Sequence, residues 1–224
     1  MKTKRIPHSL ALATALALGS AACAQAGLIH FGFPGGAVTP SFVDPNAVGG
    51  SILDGPGPGL IAAGVPGTAG LCFLPGAGST TAASALANAD YLEFTLAPGP
   101  GLGLSLGSFS FEATRASVAG TAGFVLRSSR DNFAADLASF AIPAVSPART
   151  SFNIGLSSAA YQNLIAPIAF RLYGYSAGGA LCFNDISVNG AVVAPPPAVP
   201  EPGTVLYGVA LLGAAAWPRR SGRR

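Results

Sequence analysis

One serine in the chain has the spacing of a hydrolase nucleophile. Residues 103–107, Gly-Leu-Ser-Leu-Gly, satisfy the pattern G-x-S-x-G, in which a strained turn between a strand and a helix exposes the serine hydroxyl. The residues on both sides of Ser105 are typical of a strand, and His30 is the only histidine beyond residue 26 that could serve as its base. We therefore interpret Ser105 as a strand serine rather than a catalytic nucleophile.

Two glutamates are candidates for acid–base chemistry on a polysaccharide. Glu93 and Glu112 occupy outward-facing positions of consecutive predicted strands, and a glycosidase needs two carboxyl groups about 5 to 9 Å apart. Opposite charges on one sheet face also stabilise neighbouring strands, which favours pairing with Arg115, Arg127 or Arg171. A polysaccharide-cleaving enzyme therefore stays the third alternative, and we predict no enzyme activity.

Three tyrosines are the candidate ligand-binding residues. Tyr161, Tyr173 and Tyr175 could form a sugar-stacking surface, because aromatic faces beside neutral hydrogen-bonding groups suit carbohydrate. Alternate aromatic residues in a strand can equally belong to the core or its rim, so both interpretations stay open. One histidine and two separated cysteines make no zinc site. The acids are too scattered to predict calcium, although Asp131 or Asp185 in a loop could bind one. We predict no metal and no cofactor.

These candidate residues lie on a series of predicted strands. Residues 91–96, Tyr-Leu-Glu-Phe-Thr-Leu, alternate apolar and polar side chains, as a strand with one buried face does. The same alternation recurs over 102–112, 123–128, 151–156, 168–175 and 180–188. Residues 27–89 are rich in Gly and Pro, with two further strands near 28–33 and 70–74 between long loops, and single helical turns are expected near 133–137 and 159–164. Residues 27–194 therefore form one predicted all-β domain, an antiparallel β-sandwich.

The charge distribution argues against a nucleic-acid partner. The chain of 224 residues has a formal charge of +3, but seven of its twelve basic residues lie in the first five and last six positions. Between Gly27 and Pro200 there are five arginines and eight acids, a net charge of −3. Phosphate binding needs clustered Lys and Arg on the folded surface, so nucleic acid is excluded as a partner.

The first 26 residues have the three parts of a signal peptide. A basic start is followed by an apolar run over 10–19 and by Ala24-Gln25-Ala26, whose small residues signal peptidase accepts. We expect cleavage after Ala26, with Ala24 and Ala26 as the recognised residues. Cys23 leaves a lipoprotein alternative open. The mature chain keeps Cys72 and Cys182, both in Leu-Cys-Phe contexts, as candidates for one disulfide in an exported protein.

The last thirty residues, 195–224, consist of a Pro-rich spacer, an apolar segment and a basic end. Three prolines at 195–197 make an extended spacer, an apolar helix is predicted over 203–217, and an Arg-rich end follows over 218–224. Fifteen helical residues span about 22 Å, less than the roughly 30 Å hydrocarbon core, so the segment would anchor marginally in a membrane. The arginines that would hold this end in the cytoplasm are Arg219, Arg220, Arg223 and Arg224.

The sequence Pro200-Glu201-Pro202, followed by the apolar helix and the arginines, resembles the PEP-CTERM sorting signal. The resemblance implies that Pro200, Glu201 and Pro202 are recognised by an exosortase, a membrane-embedded enzyme of Gram-negative bacteria that make exopolysaccharide and biofilm. It also implies that the tail is removed and the domain is passed to the cell surface or extracellular matrix. A plain C-terminal membrane anchor is the alternative.

The domain also resembles the jelly-roll β-sandwich often carried by PEP-CTERM proteins. The resemblance rests on residues 91–95, 107–111, 125–129, 170–175 and 184–190. We therefore expect an exported surface or matrix protein with a structural or adhesive role in an exopolysaccharide layer. A carbohydrate-binding module is the alternative, and the expected partners are signal peptidase, the exosortase, the inner membrane before processing, and exopolysaccharide.

Overall fold

The computed structural model describes residues 26–57, 59–63, 70–117, 119–144 and 149–194. Ala26 is the first residue of the first strand, whereas Ala24 and the rest of the predicted signal peptide lie outside the described residues. The same holds for the predicted sorting tail, including Glu201 with its flanking prolines and the four terminal arginines. None of the helices within the described ranges has the length and apolar character needed to cross a membrane.

The described residues form mainly strands, with one short α-helix. In chain order the elements are β1 (Ala26–Phe31), β2 (Phe42–Val43), β3 (Ala47–Gly49), β4 (Leu53–Asp54), β5 (Leu60–Ala63), β6 (Leu71–Leu74), α1 (Ala82–Asn88), β7 (Tyr91–Pro98), β8 (Gly103–Arg115), β9 (Ala122–Ser128), β10 (Ala138–Ala141), β11 (Thr150–Gly155), β12 (Ile168–Ser176) and β13 (Leu181–Val193). Single 3-10 turns occur at Pro34–Gly36, Ser129–Asp131 and Ala159–Tyr161.

The strands form two antiparallel sheets. The front sheet has the order β11-β8-β13-β1-β2, with β6 also paired to β13 and β5 paired to β6. The back sheet has the order β10-β9-β12-β7-β3, with β4 also paired to β7. The longest pairing joins β8 to β13, from Leu181 opposite Arg115 to Val193 opposite Gly103. These two strands therefore make the centre of the front sheet.

A core of phenylalanine rings holds the two sheets together. The ring of Phe109 in the front sheet lies 5.3 Å from that of Phe170 in the back sheet, centroid to centroid. Phe183 and Phe124 meet across the same interface at 4.6 Å. All four side chains are fully buried, and each large aromatic ring removes roughly 150 to 250 Å² from water. The predicted antiparallel β-sandwich is therefore present.

A buried carboxylate ties the loops at one end of the sandwich to the start of β7. Asp90 is 1% exposed and accepts hydrogen bonds from the backbone N–H groups of Gly59, at 2.6 Å, and Gly76, at 3.1 Å, and from the hydroxyl of Ser79. A Cβ atom at Gly57 would lie only 2.4 Å from the Asp90 carboxylate. The loop can approach the charge this closely because it carries glycine there.

A disulfide joins β6 to the central strand β13. Cys72 and Cys182 face each other in the strand register, and their sulfurs are bonded across a sequence separation of 110 residues. Both residues are almost fully buried. The bond therefore connects the Gly- and Pro-rich first third of the chain to the centre of the front sheet.

The sequence-based expectations for the first third of the chain were incomplete. Residues 27–89 contain α1, which was not predicted, together with four short strands beyond the two expected. Thr81 caps this helix, and its side chain and that of Ser84 each accept a hydrogen bond from the other's backbone N–H. Near residues 133–137 the expected helical turn is absent, and a 3-10 turn lies at Ser129–Asp131 instead.

Removing the disulfide should destabilise the domain strongly. A bridge that closes a loop of more than a hundred residues restricts the unfolded chain, which corresponds to about 4 kcal/mol in the chain-entropy model. We expect the Cys72→Ala/Cys182→Ala variant to lose about that much free energy of unfolding, measured by urea titration followed by far-UV circular dichroism. As the matched control, wild-type protein reduced under denaturing conditions should unfold at the same urea concentration as the double variant. Equal stability of the variant and the oxidised wild type would contradict the bridge.

Candidate functional site

The outward face of the front sheet carries small polar side chains in regular rows. Along β8 the side chains of Phe109 and Phe111 are buried, and the serines that alternate with them, Ser108 and Ser110, point outward. The same alternation along β13 turns Asp185, Ser187 and Asn189 outward, between the buried Ile186 and Val188. Because successive strand residues face opposite sides of a sheet, the packing of the core dictates this polar face.

The register aligns these residues into rows that cross the strands. The middle row runs from Asn153 in β11 through Ser110, Ser187 and His30 to Phe42 in β2. One neighbouring row contains Gly155, Ser108, Asn189 and Gly27, and the other contains Ser151, Glu112 and Asp185. We call this surface, consisting of all three rows, the front face. With strands about 4.8 Å apart, the middle row is about 19 Å long.

A groove of about 270 Å³ lies on the front face over β8, β11 and β13. It is lined by Ser110, Phe111, Glu112, Ser151, Phe152, Asn153, Asp185 and Ser187. Its polar side chains are already linked, since Ser187 donates to Asp185 at 3.1 Å and Ser151 donates to Glu112 at 3.3 Å. These hydrogen bonds restrict the rotamers of the side chains that form the floor of the groove. A ligand would therefore bind to a partly preorganised surface.

An exposed aromatic ring ends the middle row. Phe42 is 48% exposed, and its ring lies over Gly27, where an added Cβ atom would be 3.7 Å from the ring. This separation is an ordinary van der Waals contact, so the ring lies against the outward side of the sheet at Gly27. The front face thus combines hydrogen-bonding groups with one apolar ring at its edge.

Three side chains beside Phe42 form a continuous hydrogen-bonded chain. The Nε2 atom of His30 is 3.0 Å from an Asp185 carboxylate oxygen, and its Nδ1 atom is 2.8 Å from the Ser41 hydroxyl oxygen. That hydroxyl also accepts from the backbone N–H of Gly32 at 3.1 Å and lies 3.0 Å from the His30 carbonyl oxygen. The His30 and Asp185 side chains are 37% and 45% exposed, so solvent reaches both.

The two glutamates considered for catalysis do not converge. Glu93 lies on β7 in the back sheet and Glu112 on β8 in the front sheet, and both side chains point away from the core that separates the sheets. Glu93 forms an ion pair with Arg171 at 2.6 Å, and the Arg171 guanidinium stacks between the rings of Tyr91 and Phe133. Glu93 therefore pairs with Arg171, one of the arginines favoured by the sequence, and the carboxylate pair of the third alternative is not formed.

The three tyrosines considered as a sugar-stacking surface do not form one. Tyr161 and Tyr173 are only 8% and 5% exposed: the Tyr161 hydroxyl is 3.0 Å from that of Ser128, and Tyr173 packs with Ala85 of α1 and the ring of Tyr91. Tyr175 is partly buried, its hydroxyl donates to the Phe140 carbonyl at 3.4 Å, and burial raises the pKa of its phenol. The unpredicted helix α1 covers Tyr173 and Tyr175, and Tyr161 lies in the main core, so the three tyrosines belong to the core and its rim, the second of the two interpretations left open by the sequence.

Ser105 and Asp131, the other candidate residues from the sequence, accept hydrogen bonds from backbone N–H groups. Ser105 lies within β8, where its hydroxyl accepts a hydrogen bond from the Asn163 backbone N–H at 3.2 Å, so no strained turn exposes it. Asp131 accepts from the backbone N–H groups of Ala134 and Ala135. Throughout the described ranges, no three His, Cys, Asp or Glu side chains are grouped so as to hold a metal ion.

Sequence reasoning missed the front face as a unit. The sequence feature that could have indicated this face is the alternation of polar and apolar residues, which places polar residues at Ser108, Ser110 and Glu112 and again at Asp185, Ser187 and Asn189. That alternation predicts strands but does not show that the two segments are neighbours. Ser41 and Phe42 follow a proline in the loop-rich first third and carried no recognisable pattern.

No known protein family matches the chain, and no curated protein does. Among solved structures, a family 35 carbohydrate-binding module from an environmental isolate is similar over 65% of this chain and 93% of its own, with 12% identity and a TM-score of 0.37. The K3 cleaved adhesin domain of Lys-gingipain from Porphyromonas gingivalis w83 is similar over 57% and 79%, with 15% identity and a TM-score of 0.36. The family 11 carbohydrate-binding module from Clostridium thermocellum, in complex with a β-1,3-1,4-mixed-linked tetrasaccharide, is similar over 74% and 98%, with 13% identity and a TM-score of 0.35. Likeness this distant says nothing about what this chain binds, so that question rests on the front face.

Truncating Tyr173 should destabilise the protein. The ring fills a buried site beneath α1, and deleting a buried large aromatic side chain costs about 3 kcal/mol or more. We expect Tyr173→Ala to lose about 3 kcal/mol in urea unfolding and Tyr173→Phe, which keeps the ring, to lose less than about 1 kcal/mol. A Tyr173→Ala variant of wild-type stability would show that the ring is not packed as described.

Proposed function

We propose that this chain is an exported surface protein that binds neutral polysaccharide across the front face. The observation that carries the proposal is the middle row, in which Asn153, Ser110, Ser187 and His30 lead to the exposed ring of Phe42. Such binding would give the protein an adhesive role in an exopolysaccharide layer.

The chemistry of the rows suits sugar hydroxyls. Each serine hydroxyl can both donate and accept a hydrogen bond, and each asparagine amide offers donors and an acceptor. Sugar hydroxyls also donate and accept hydrogen bonds, so the serine and asparagine side chains of the rows can bind several sugar hydroxyls in succession. The ring of Phe42 supplies the apolar surface against which the C–H face of a sugar can pack.

The shape of the face favours a polymer. The groove lies over β8, β11 and β13 and the ring lies on β2, so the polar floor continues between them over β1. A ligand that contacts both Asn153 and Phe42, at the two ends of the middle row, would extend about 19 Å across the strands, further than a single sugar. Many moderate contacts along such a ligand replace the deep enclosure that a small molecule requires.

The charge of the face favours neutral over acidic polymers. Asp185 and Glu112 are directly opposite each other on neighbouring strands. The basic side chains nearest to them are His30, 3.0 Å from Asp185, and Arg149, 3.9 Å from Glu112. Arg149 is exposed, so it compensates Glu112 only weakly through water. Uronate or sulfate groups would meet this excess negative charge and be repelled.

Delivery to the surface is the second part of the proposal. The signal peptide over 1–26 would direct export, and the tail around Pro200, Glu201 and Pro202 would direct sorting by an exosortase, as its resemblance to PEP-CTERM signals implies. The cysteine bridge supports export, because disulfides persist in oxidising compartments. The extended Pro-rich spacer would hold the domain away from the membrane until the tail is removed.

Phe42→Ala should weaken binding to neutral polysaccharide. The loss of one stacked ring is expected to raise the dissociation constant about 5- to 15-fold, corresponding to roughly 1 to 1.5 kcal/mol. Asn153→Ala, at the other end of the middle row, should raise it about 3- to 10-fold through lost hydrogen bonds. The measurement is isothermal titration of the full chain with soluble neutral glucans and with a uronic acid polymer.

Leu53→Ala is the matched control for Phe42→Ala. Leu53 is also an exposed apolar residue of a two-residue strand, 62% exposed, but it pairs with Glu93 in the back sheet. It should leave the dissociation constant unchanged. The proposal is wrong if no neutral polysaccharide binds, or if Leu53→Ala and Phe42→Ala weaken binding equally.

Mass spectrometry of the mature termini should show both processing events. In cells that contain the sorting enzyme, the surface product should begin at Gly27 and lack the Arg-rich end at 218–224. Glu201→Ala should retain Arg224 and accumulate at the membrane, because the proposed recognition sequence is broken. A wild-type product found in the cytosol with both Met1 and Arg224 would overturn the sorting proposal while leaving polysaccharide binding untouched.

A further inference from the structure

We propose that Ser41, His30 and Asp185 form a nucleophilic site that hydrolyses carboxylic esters, such as the O-acyl groups carried by sugars. The inference goes beyond polysaccharide binding and rests on the continuous hydrogen-bonded chain of the three side chains. Ser41 Oγ is 2.8 Å from His30 Nδ1, and His30 Nε2 is 3.0 Å from Asp185 Oδ1. A nucleophile, a base within hydrogen-bonding reach and a third group that orients the base are the parts that covalent acyl transfer requires.

The geometry selects a productive tautomer of His30. A carboxylate accepts hydrogen bonds, so the neutral imidazole places its proton on Nε2, facing Asp185. Nδ1 then presents a lone pair to Ser41 Oγ and can receive the hydroxyl proton. In serine proteases Nε2 faces the serine and Nδ1 faces the aspartate, whereas here Nδ1 faces Ser41 and Nε2 faces Asp185. In both arrangements the nitrogen facing the carboxylate carries the proton and the nitrogen facing the serine accepts one.

The other contacts of Ser41 are compatible with this role. Its hydroxyl has a second acceptor within reach, the His30 carbonyl oxygen at 3.0 Å, and it turns from that oxygen to Nδ1 by rotation about one bond. The backbone N–H of Gly32 donates to Ser41 Oγ at 3.1 Å. This bond holds Ser41 Oγ in place beside His30 Nδ1.

The proposed reaction has two balanced steps. Ser41 Oγ attacks the ester carbonyl carbon and its proton passes to His30 Nδ1; the C–O bond then breaks and the leaving alcohol takes that proton, which leaves an acyl-serine. A water molecule next attacks the acyl carbon and gives a proton to Nδ1. Ser41 Oγ departs with that proton, and the carboxylic acid is released. Asp185 stays ionised throughout and stabilises the imidazolium formed in each step.

The location of the site indicates the class of ester. His30 and Asp185 belong to the rows of the front face, directly beside the groove residue Ser187. An acyl group on a sugar that lies across this face would reach Ser41 from the solvent side, because Ser41 is exposed. We therefore infer that the substrate is an acylated sugar rather than a peptide or a phosphate ester.

The test uses small probes, so that it does not depend on polysaccharide binding. The full chain is treated with a fluorophosphonate, which phosphonylates activated serines, and the modified residue is located by mass spectrometry. Hydrolysis of p-nitrophenyl acetate is followed in parallel. We expect label on Ser41, no label in Ser41→Ala, and a rate of labelling and hydrolysis about 100-fold lower in His30→Ala, because a general base contributes about that factor or more.

Two further variants separate chemistry from folding. His30→Gln keeps a hydrogen-bonding side chain without a titratable base and should be as inactive as His30→Ala, with an unfolding midpoint close to that of the wild type. Ser105→Ala, which removes the serine of the G-x-S-x-G pattern, should react like the wild type. Absence of label on Ser41, or labelling that persists in both His30 variants, would overturn the proposal. The polysaccharide titration described above would be unaffected by that outcome.

Discussion

The alternation of side chains along β8 and β13 is the constraint on which the rest of the molecule depends. These two strands pair along almost their whole length at the centre of the front sheet. Their inward side chains must be large and apolar, because the core that joins the sheets is made of phenylalanine rings. The intervening residues are then forced outward in register, and this produces the polar rows of the front face. A one-residue slip of β13 would turn Asp185, Ser187 and Asn189 inward, so the packing of the core also fixes which side chains form the front face.

A disulfide and a buried carboxylate attach the loop-rich first third of the chain to the sheets. The disulfide attaches β6 to β13 covalently. The buried carboxylate of Asp90 accepts hydrogen bonds from the backbone N–H groups of Gly59 and Gly76 and from the hydroxyl of Ser79. Asp90 lies in the chain between α1 and β7. A charge buried without such partners would be costly, so the loops must close on it for the domain to fold.

The front face brings binding and chemistry to one place through His30. As the fourth residue of the middle row it belongs to the floor proposed to contact polysaccharide, and through Ser41 and Asp185 it belongs to the proposed ester-hydrolysing site. Such an arrangement would favour hydrolysis of acyl groups on a bound polymer, because the nucleophile lies at the edge of the binding surface. On the back sheet, α1 covers Tyr91 and Tyr173, and the Arg171–Glu93 pair occupies the centre.

The sequence by itself determined the strand alternation, the β-sandwich class and the two cysteines that form the bridge. Each follows from local information: a two-residue period, turn residues at regular intervals and a repeated Leu-Cys-Phe context. Only the tertiary structure decided which outward residues become neighbours. His30 lies 11 residues from Ser41 but 155 from Asp185 along the chain. Nor could the sequence show that Tyr173 is covered, because this depends on where a short helix packs after the strands have paired. Local pattern specifies the two faces of a strand, whereas strand order and register are settled by the collective packing of the core, and a surface site assembled across five strands exists only after that packing is complete.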